Sequence, residues 1–153
     1  MIEEKKTTEF LEGILKSTEP QKISHVMEKY SSKMIERDDY FSEYMRSTFA
    51  LHKRHQKDIF IAADISEKYG YSLISTEKRT RRRDVIIKLC FAGHFTKDET
   101  DCALKLYGMS PLYARDKRDA CLINALCSNL YEIADVNDIL AANGFSTLYS
   151  SVD

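Results

Sequence analysis

A chain of 153 residues that is 43% hydrophobic and 31% charged, with a net charge of −1, has the size and make-up of one soluble globular domain. It contains no apolar run near the roughly 18 residues a membrane helix needs, and its polar start, MIEEKKTTEF, does not read as a secretory leader. Neither membrane insertion nor export is expected, a cytoplasmic protein is expected, and two prolines with five glycines favour helix throughout.

The first helix is expected over Thr8–Lys16, with Phe10, Leu11, Ile14 and Leu15 on one side, and Pro20 closes that neighbourhood. A second helix is expected over Gln21–Glu36, because Ile23, Val26, Met27, Tyr30 and Met34 recur at intervals of three and four. Asp38 or Asp39 is placed to cap a third helix running to about Arg54, with Phe41, Tyr44, Met45 and Phe49 inward. Two short helices then follow in close succession, Asp58–Ala63 and Ser66–Ser75. The turn between them is Asp64–Ile65, and Ser66 is the expected N-cap. Gly70 in mid-helix suggests a close approach by another element.

Downstream, Arg82–Ala92 brings Val85, Ile86, Leu89 and Cys90 onto one face, and Gly93 stands where a left-handed cap is expected. Thr96 and Glu99 form a capping box for a helix over 97–107, which Gly108 stops and Pro111 keeps from resuming. Asp116 is expected to cap a helix reaching Cys127, with Leu122, Ile123 and Leu126 inward. Asp135 is expected to cap a last helix through Val136, Ile139 and Leu140, ending at Asn143–Gly144. The sum is an all-α chain. Its expected parts are an N-terminal hairpin over 1–36, a helix-turn-helix domain over 37–113, and a C-terminal helical extension over 114–153 packed on the same core.

Charge is unevenly distributed. Residues 51–88 carry ten Lys and Arg against five Asp and Glu, a net of +5, whereas 1–50 carry −2 and 89–153 carry −4. Lys78, Arg79, Arg81, Arg82 and Arg83 fall within six residues, directly after the second of the two short helices. A helix-turn-helix beside a basic loop is suited to placing one helix in the major groove while cations hold phosphates. Lys68, Tyr69 and Ser72 are the base-contact candidates, on the side of the second helix expected to be exposed. Gln56, Lys57, Lys78, Arg79, Arg81, Arg82 and Arg83 are the phosphate candidates. Tyr71, with Leu73 and Ile74, is read as core, and the alternative for the charge run is an ordinary solvated face.

The four cysteines sit in apolar contexts and form no CxxC pair. The pairs Cys90/His94 and His52/His55 fall short of a zinc ligand set. Core thiols, no metal and no cofactor are expected. No Gly-rich phosphate loop, GxSxG or HExxH is present, and the chain is not expected to be an enzyme.

The segments FSEYM (Phe41–Met45), YGYSLIS (Tyr69–Ser75), RRRD (Arg81–Asp84), TKDETDCALKLYGMSPLYARDKRDA (Thr96–Ala120) and DVNDIL (Asp135–Leu140) resemble phage-repressor-like (XRE-type) helix-turn-helix proteins. The subfamily concerned is common in Gram-positive gut bacteria. The resemblance covers nearly the whole chain. It implies a lambda-repressor-like five-helix core with extra helices at both ends, and sequence-specific binding of double-stranded DNA in transcriptional control. Asp64 stands where that family usually has glycine, a substitution the left-handed region tolerates. Glu67 stands where the family more often has a basic or polar residue; an acid there favours the helix dipole and opposes phosphate. A homodimer is expected from the half-site geometry of such readers. The alternative is an adaptor that keeps the fold, has lost readout, and docks a basic protein partner through its acidic C-terminal half.

Overall fold

In a computed structural model the described residues are 2–34 and 40–148, and among them the secondary structure is entirely helical. The chain forms two compact units, Met1–Tyr40 and Phe41–Asp153. None of the described helices is long and apolar enough to cross a membrane.

The first unit holds α1 (Ile2–Ser17) and α2 (Ile23–Lys29), with single 3-10 turns at Pro20–Lys22 and Ser31–Lys33. Helix α1 begins six residues before the expected Thr8, because Glu3 and Glu4 occupy its first turn, where the helix dipole favours acids. The expected single helix over Gln21–Glu36 is instead broken. Its α-helical part ends at Lys29, and Tyr30 leaves helical geometry at φ −109° ahead of Ser31–Ser32, residues that favour turns over helix interiors. Phe10 and Tyr30 meet edge-on with ring centroids 5.7 Å apart, yet no described residue of this unit is fully buried. The proposed caps Asp38 and Asp39, and the end of the expected helix at Glu36, lie outside the described residues.

The second unit is built on one apolar core. Helix α3 (Tyr40–Leu51) contributes Phe41, Met45 and Phe49; α4 (Gln56–Ala62) contributes Ile59 and Phe60; α5 (Glu67–Ile74) contributes Leu73 and Ile74. Helix α6 (Arg83–Ala92) is the central element, buried from Val85 through Ala92. Helices α7 (Lys97–Leu106), α8 (Lys117–Cys127) and α9 (Ile133–Ala142) complete the layer. Leu104, Leu122, Leu126, Val136 and Leu140 join the cluster that contains Phe49 and Phe91. The C-terminal helices therefore share the core of α3–α7.

The caps explain most of the boundaries. Ser66 Oγ accepts from the Tyr69 amide, Thr96 and Glu99 form the reciprocal capping box, and Asp116 accepts from the Asp119 amide. Two expectations are corrected. The left-handed residue after α6 is His94 (φ 62°) and not Gly93, which is right-handed at φ −82°. Gly93 is required for space, since a Cβ there would lie 2.8 Å from the Phe49 ring and 2.9 Å from that of Phe95. The cap of α9 is Glu132, and Asp135 sits inside the first turn, where its charge still suits the dipole. Among the thiols, Cys90 is buried, Cys102 and Cys121 are partly so, and Cys127 is exposed, so it is not the core residue expected.

Candidate nucleic-acid interface

Helices α4 and α5 are joined at Asp64–Ile65. Asp64 adopts φ 55° and the Ile65 amide donates to the Phe60 carbonyl, so the turn is closed with an aspartate in the left-handed position. The two helices are held close by Gly70: a Cβ there would approach the Phe60 ring to 2.5 Å. Ser42 Oγ, from α3, donates to the Ile74 carbonyl and ties the end of α5 to the body of the unit.

This packing decides which side of α5 is free. Glu67, Lys68, Tyr71 and Ser75 are exposed, whereas Gly70, Ser72, Leu73 and Ile74 are buried and Tyr69 is intermediate. Of the expected trio, Lys68 lies on the open side, Tyr69 is half-buried, and Ser72, at 8% exposure, faces inward. The correction has a simple cause. Gly70 against Phe60 sets the rotation of the helix, and Ser72 and Leu73 follow it inward. Tyr71, expected in the core, instead lies over the outer edge of Phe60, centroids 5.0 Å apart, and is 43% exposed.

The basic run divides in the same manner. Lys57, Lys78 and Arg81 are exposed, and Gln56 and Arg82 are intermediate. Arg79 lies over the Tyr107 ring, 4.3 Å from its centroid, and donates to the Tyr107 carbonyl. Arg83 is tied down further. Its guanidinium makes a bidentate pair with Asp119 at 2.8 Å and donates to the carbonyls of Ser110 and Pro111. The pair holds the Arg83 pKa above its ordinary value. Arg83 is thus engaged within the fold, whereas Arg79 is held at Tyr107 and stays exposed.

Cations outside that run gather at another place. A cleft of about 440 Å³ lies between the end of α3 and the start of α4, bordered by Arg46, Lys53, Arg54, His55 and Gln56, with no carboxylate in its lining. Lys53 is left-handed (φ 55°), and Arg54 is anchored by Nε donating to the Ala92 carbonyl. Nearby His94 has its pKa lowered, first by burial and then by the charges of Arg54 and His52. Sequence reasoning passed over Arg46, Lys53 and Arg54. The available signal was the stretch 46–57, which holds four Lys or Arg and no acid.

Acids also face outward. Asp58, Asp64 and Glu67 are exposed on α4, the turn and α5, beside Ile61 at 70% exposure. Lys88, buried at 4% on α6, has its pKa lowered by burial, and the charges of Asp64 and Asp84 oppose that shift. No cluster of three or more metal-ligating side chains occurs among the described residues. Comparison with protein-family models, curated proteins and solved structures finds no match to this chain.

Proposed function

We propose that the chain is a sequence-specific, double-stranded DNA-binding transcriptional regulator of the lambda-repressor-like, XRE-type class, reading the major groove with α5. The observation that carries this reading is the α4–α5 pair: a capped, exposed helix following a tight turn, flanked by exposed cations. Lys68 is the base-edge residue, suited to guanine O6 and N7, and Tyr71 replaces Ser72 as its neighbour on the open side. Gln56 and Lys57, with Arg46, Lys53 and Arg54 around the adjoining cleft, form one phosphate-holding group; Lys78 and Arg81 form the other. Binding as a homodimer to paired half-sites fits this class of reader.

The test is a fluorescence-anisotropy titration against genomic fragments that include the chain's own promoter, repeated over a range of salt. Sequence-preferring binding whose log affinity falls linearly with log salt supports the reading. Equal, weak binding to every fragment defeats it.

A second reading is favoured by a specific observation. Asp58, Asp64 and Glu67 share the exposed face with Ile61 and Tyr71, a mixture of acid and apolar surface that suits a basic protein partner better than phosphate. Capture of one stoichiometric partner that is lost on Ile61→Lys, with no DNA preference, would establish the adaptor instead.

A further inference from the structure

The pairs α6–α7 and α8–α9 are built to one plan. Arg83-Asp84 opens the first and Arg118-Asp119 the second, about 35 residues apart, and GMSPLY at Gly108–Tyr113 is echoed by GFSTLY at 144–149. The hairpin turns match: His94 and Asn129 are left-handed at 62° and 56°, and the next amides, of Phe95 and Leu130, donate to the carbonyls of Cys90 and Ala125. The exits match as well. Gly108 and Gly144 stand at φ 83° and 80°, and the Met109 and Phe145 amides donate to Leu104 and Leu140. The Leu112 amide donates to Asp101 Oδ1, and the Leu148 amide to Asn137 Oδ1.

The arginines reveal how the two copies are joined. Arg83 donates through Nε to Ser110 O and through a terminal nitrogen to Pro111 O, both in its own helix pair, while pairing with Asp119 of the other pair. Arg118 does the same in reverse. It donates through Nε to Ser146 O at 3.1 Å and through a terminal nitrogen to Thr147 O, and it pairs with Asp84 at 2.9 Å. Residue i of one helix pair meets j of the other, and j meets i. That reciprocity is the signature of a two-fold, self-complementary interface, the kind formed between identical subunits.

We infer that this clasp is an exchangeable interface for a second copy of the chain: α8–α9 of one molecule takes, on α6–α7 of another, the place it holds within its own. Each unit already carries a full half of the contact, one guanidinium, one carboxylate and one loop of acceptors. Exchange therefore preserves the four-residue clasp and the burial of Leu122, Leu126, Val136 and Leu140. Only the short, exposed link at Ala114–Arg115 changes its path, and the bond from the Tyr113 amide to Asp119 forms across the two chains. Identical contacts before and after, with a single hinge, make domain swapping a low-cost route to a dimer. The occupant is a second copy because the chain's own α8–α9 carries the matching Arg118, Asp119 and loop carbonyls of Ser146 and Thr147. The inference does not depend on DNA binding.

Two double variants test it. The first carries Arg83→Asp with Asp84→Arg, and the second Arg118→Asp with Asp119→Arg. Alone, each sets like charges opposite one another within the chain and melts below the parent. Unfolded together and refolded as an equimolar mixture, the two become complementary across chains. The expected product is a one-to-one heterodimer by native mass spectrometry, with its melting temperature returned toward that of the parent. A mixture that melts as the separate variants do, and holds no heterodimer, overturns the inference. The unmodified chain provides the second measurement. Refolded from urea at rising protein concentration, it yields a slowly dissociating dimer in growing proportion; a monomer at every concentration overturns the inference independently of how the variants fold.

Discussion

Arginines and lysines a few residues apart meet opposite fates in this molecule. At the α6–α8 contact, Arg83 and Arg118 each hold a carboxylate with two bonds and a loop with two more, and Asp119 keeps only 7% of its side chain exposed. Around α4 and α5, Lys57, Lys68, Lys78 and Arg81 are exposed. The first group has its charge neutralised inside the fold and stabilises it. The second contributes little to folding and leaves its charge to the surroundings, where it can steer and hold an anionic partner. Charge alone does not distinguish them; the presence of a carboxylate at the right distance does.

The difference can be broken at its strongest point. Asp119→Ala strands Arg83 and the Tyr113 amide at a largely buried site and should cost about 3–5 kcal/mol, read as a lower urea midpoint. Gly70→Ala comes next. A methyl 2.5 Å from the Phe60 ring should cost about 1–3 kcal/mol in thermal unfolding and turn the open side of α5 away from its present direction. Thr96→Ala, which removes half of a capping box, should cost about 1 kcal/mol. The smallest effect on folding belongs to the exposed group. Lys57, Lys78 and Arg81 replaced together by Ala should each move stability by no more than about 0.5 kcal/mol, yet flatten the salt slope of DNA binding by nearly three, at about 0.9 per phosphate contact. A large loss of stability in that triple variant, or an unchanged salt slope, would remove the distinction between the two groups.

Acid sharpens the same contrast. Burial pushes the Asp119 carboxyl up, but hydrogen bonds from Arg83 and the Tyr113 amide, with the charges of Arg83 and Arg118, outweigh it and hold the pKa below the usual carboxylate range. The folded value lies below the unfolded one of about 3.9. Its stabilisation is therefore complete above about pH 4 and is lost as pH falls through the folded value. Urea unfolding followed from pH 6 to pH 2 should show that loss, and Asp119→Asn should flatten it.

Much of the fold was legible in the residues because the signals are local. Ser66, Thr96 with Glu99, and Asp116 each act within three residues, and the α5, α7 and α8 boundaries followed from the caps and the apolar spacing. What escaped depends on partners distant in the chain. Nothing near Arg83 announces that Asp119 will reach it, and the inward turn of Ser72 depends on Phe60, one helix away. Gly93 illustrates the limit: a glycine after a helix suggests a left-handed cap, but here two phenylalanine rings require the missing side chain and His94 takes the unusual backbone. The cleft at the end of α3 was obscured by a louder basic run thirty residues on.

The aspartate at the α4–α5 turn has one more consequence. Glycine in its place would relax a backbone angle that suits few side chains, but it would also withdraw one of two negative charges that favour protonation of the buried Lys88. The change would thus trade conformational ease against electrostatic discomfort at Lys88. Asp64→Gly should shift the thermal midpoint only slightly, whereas pairing it with Lys88→Met should reveal the hidden benefit.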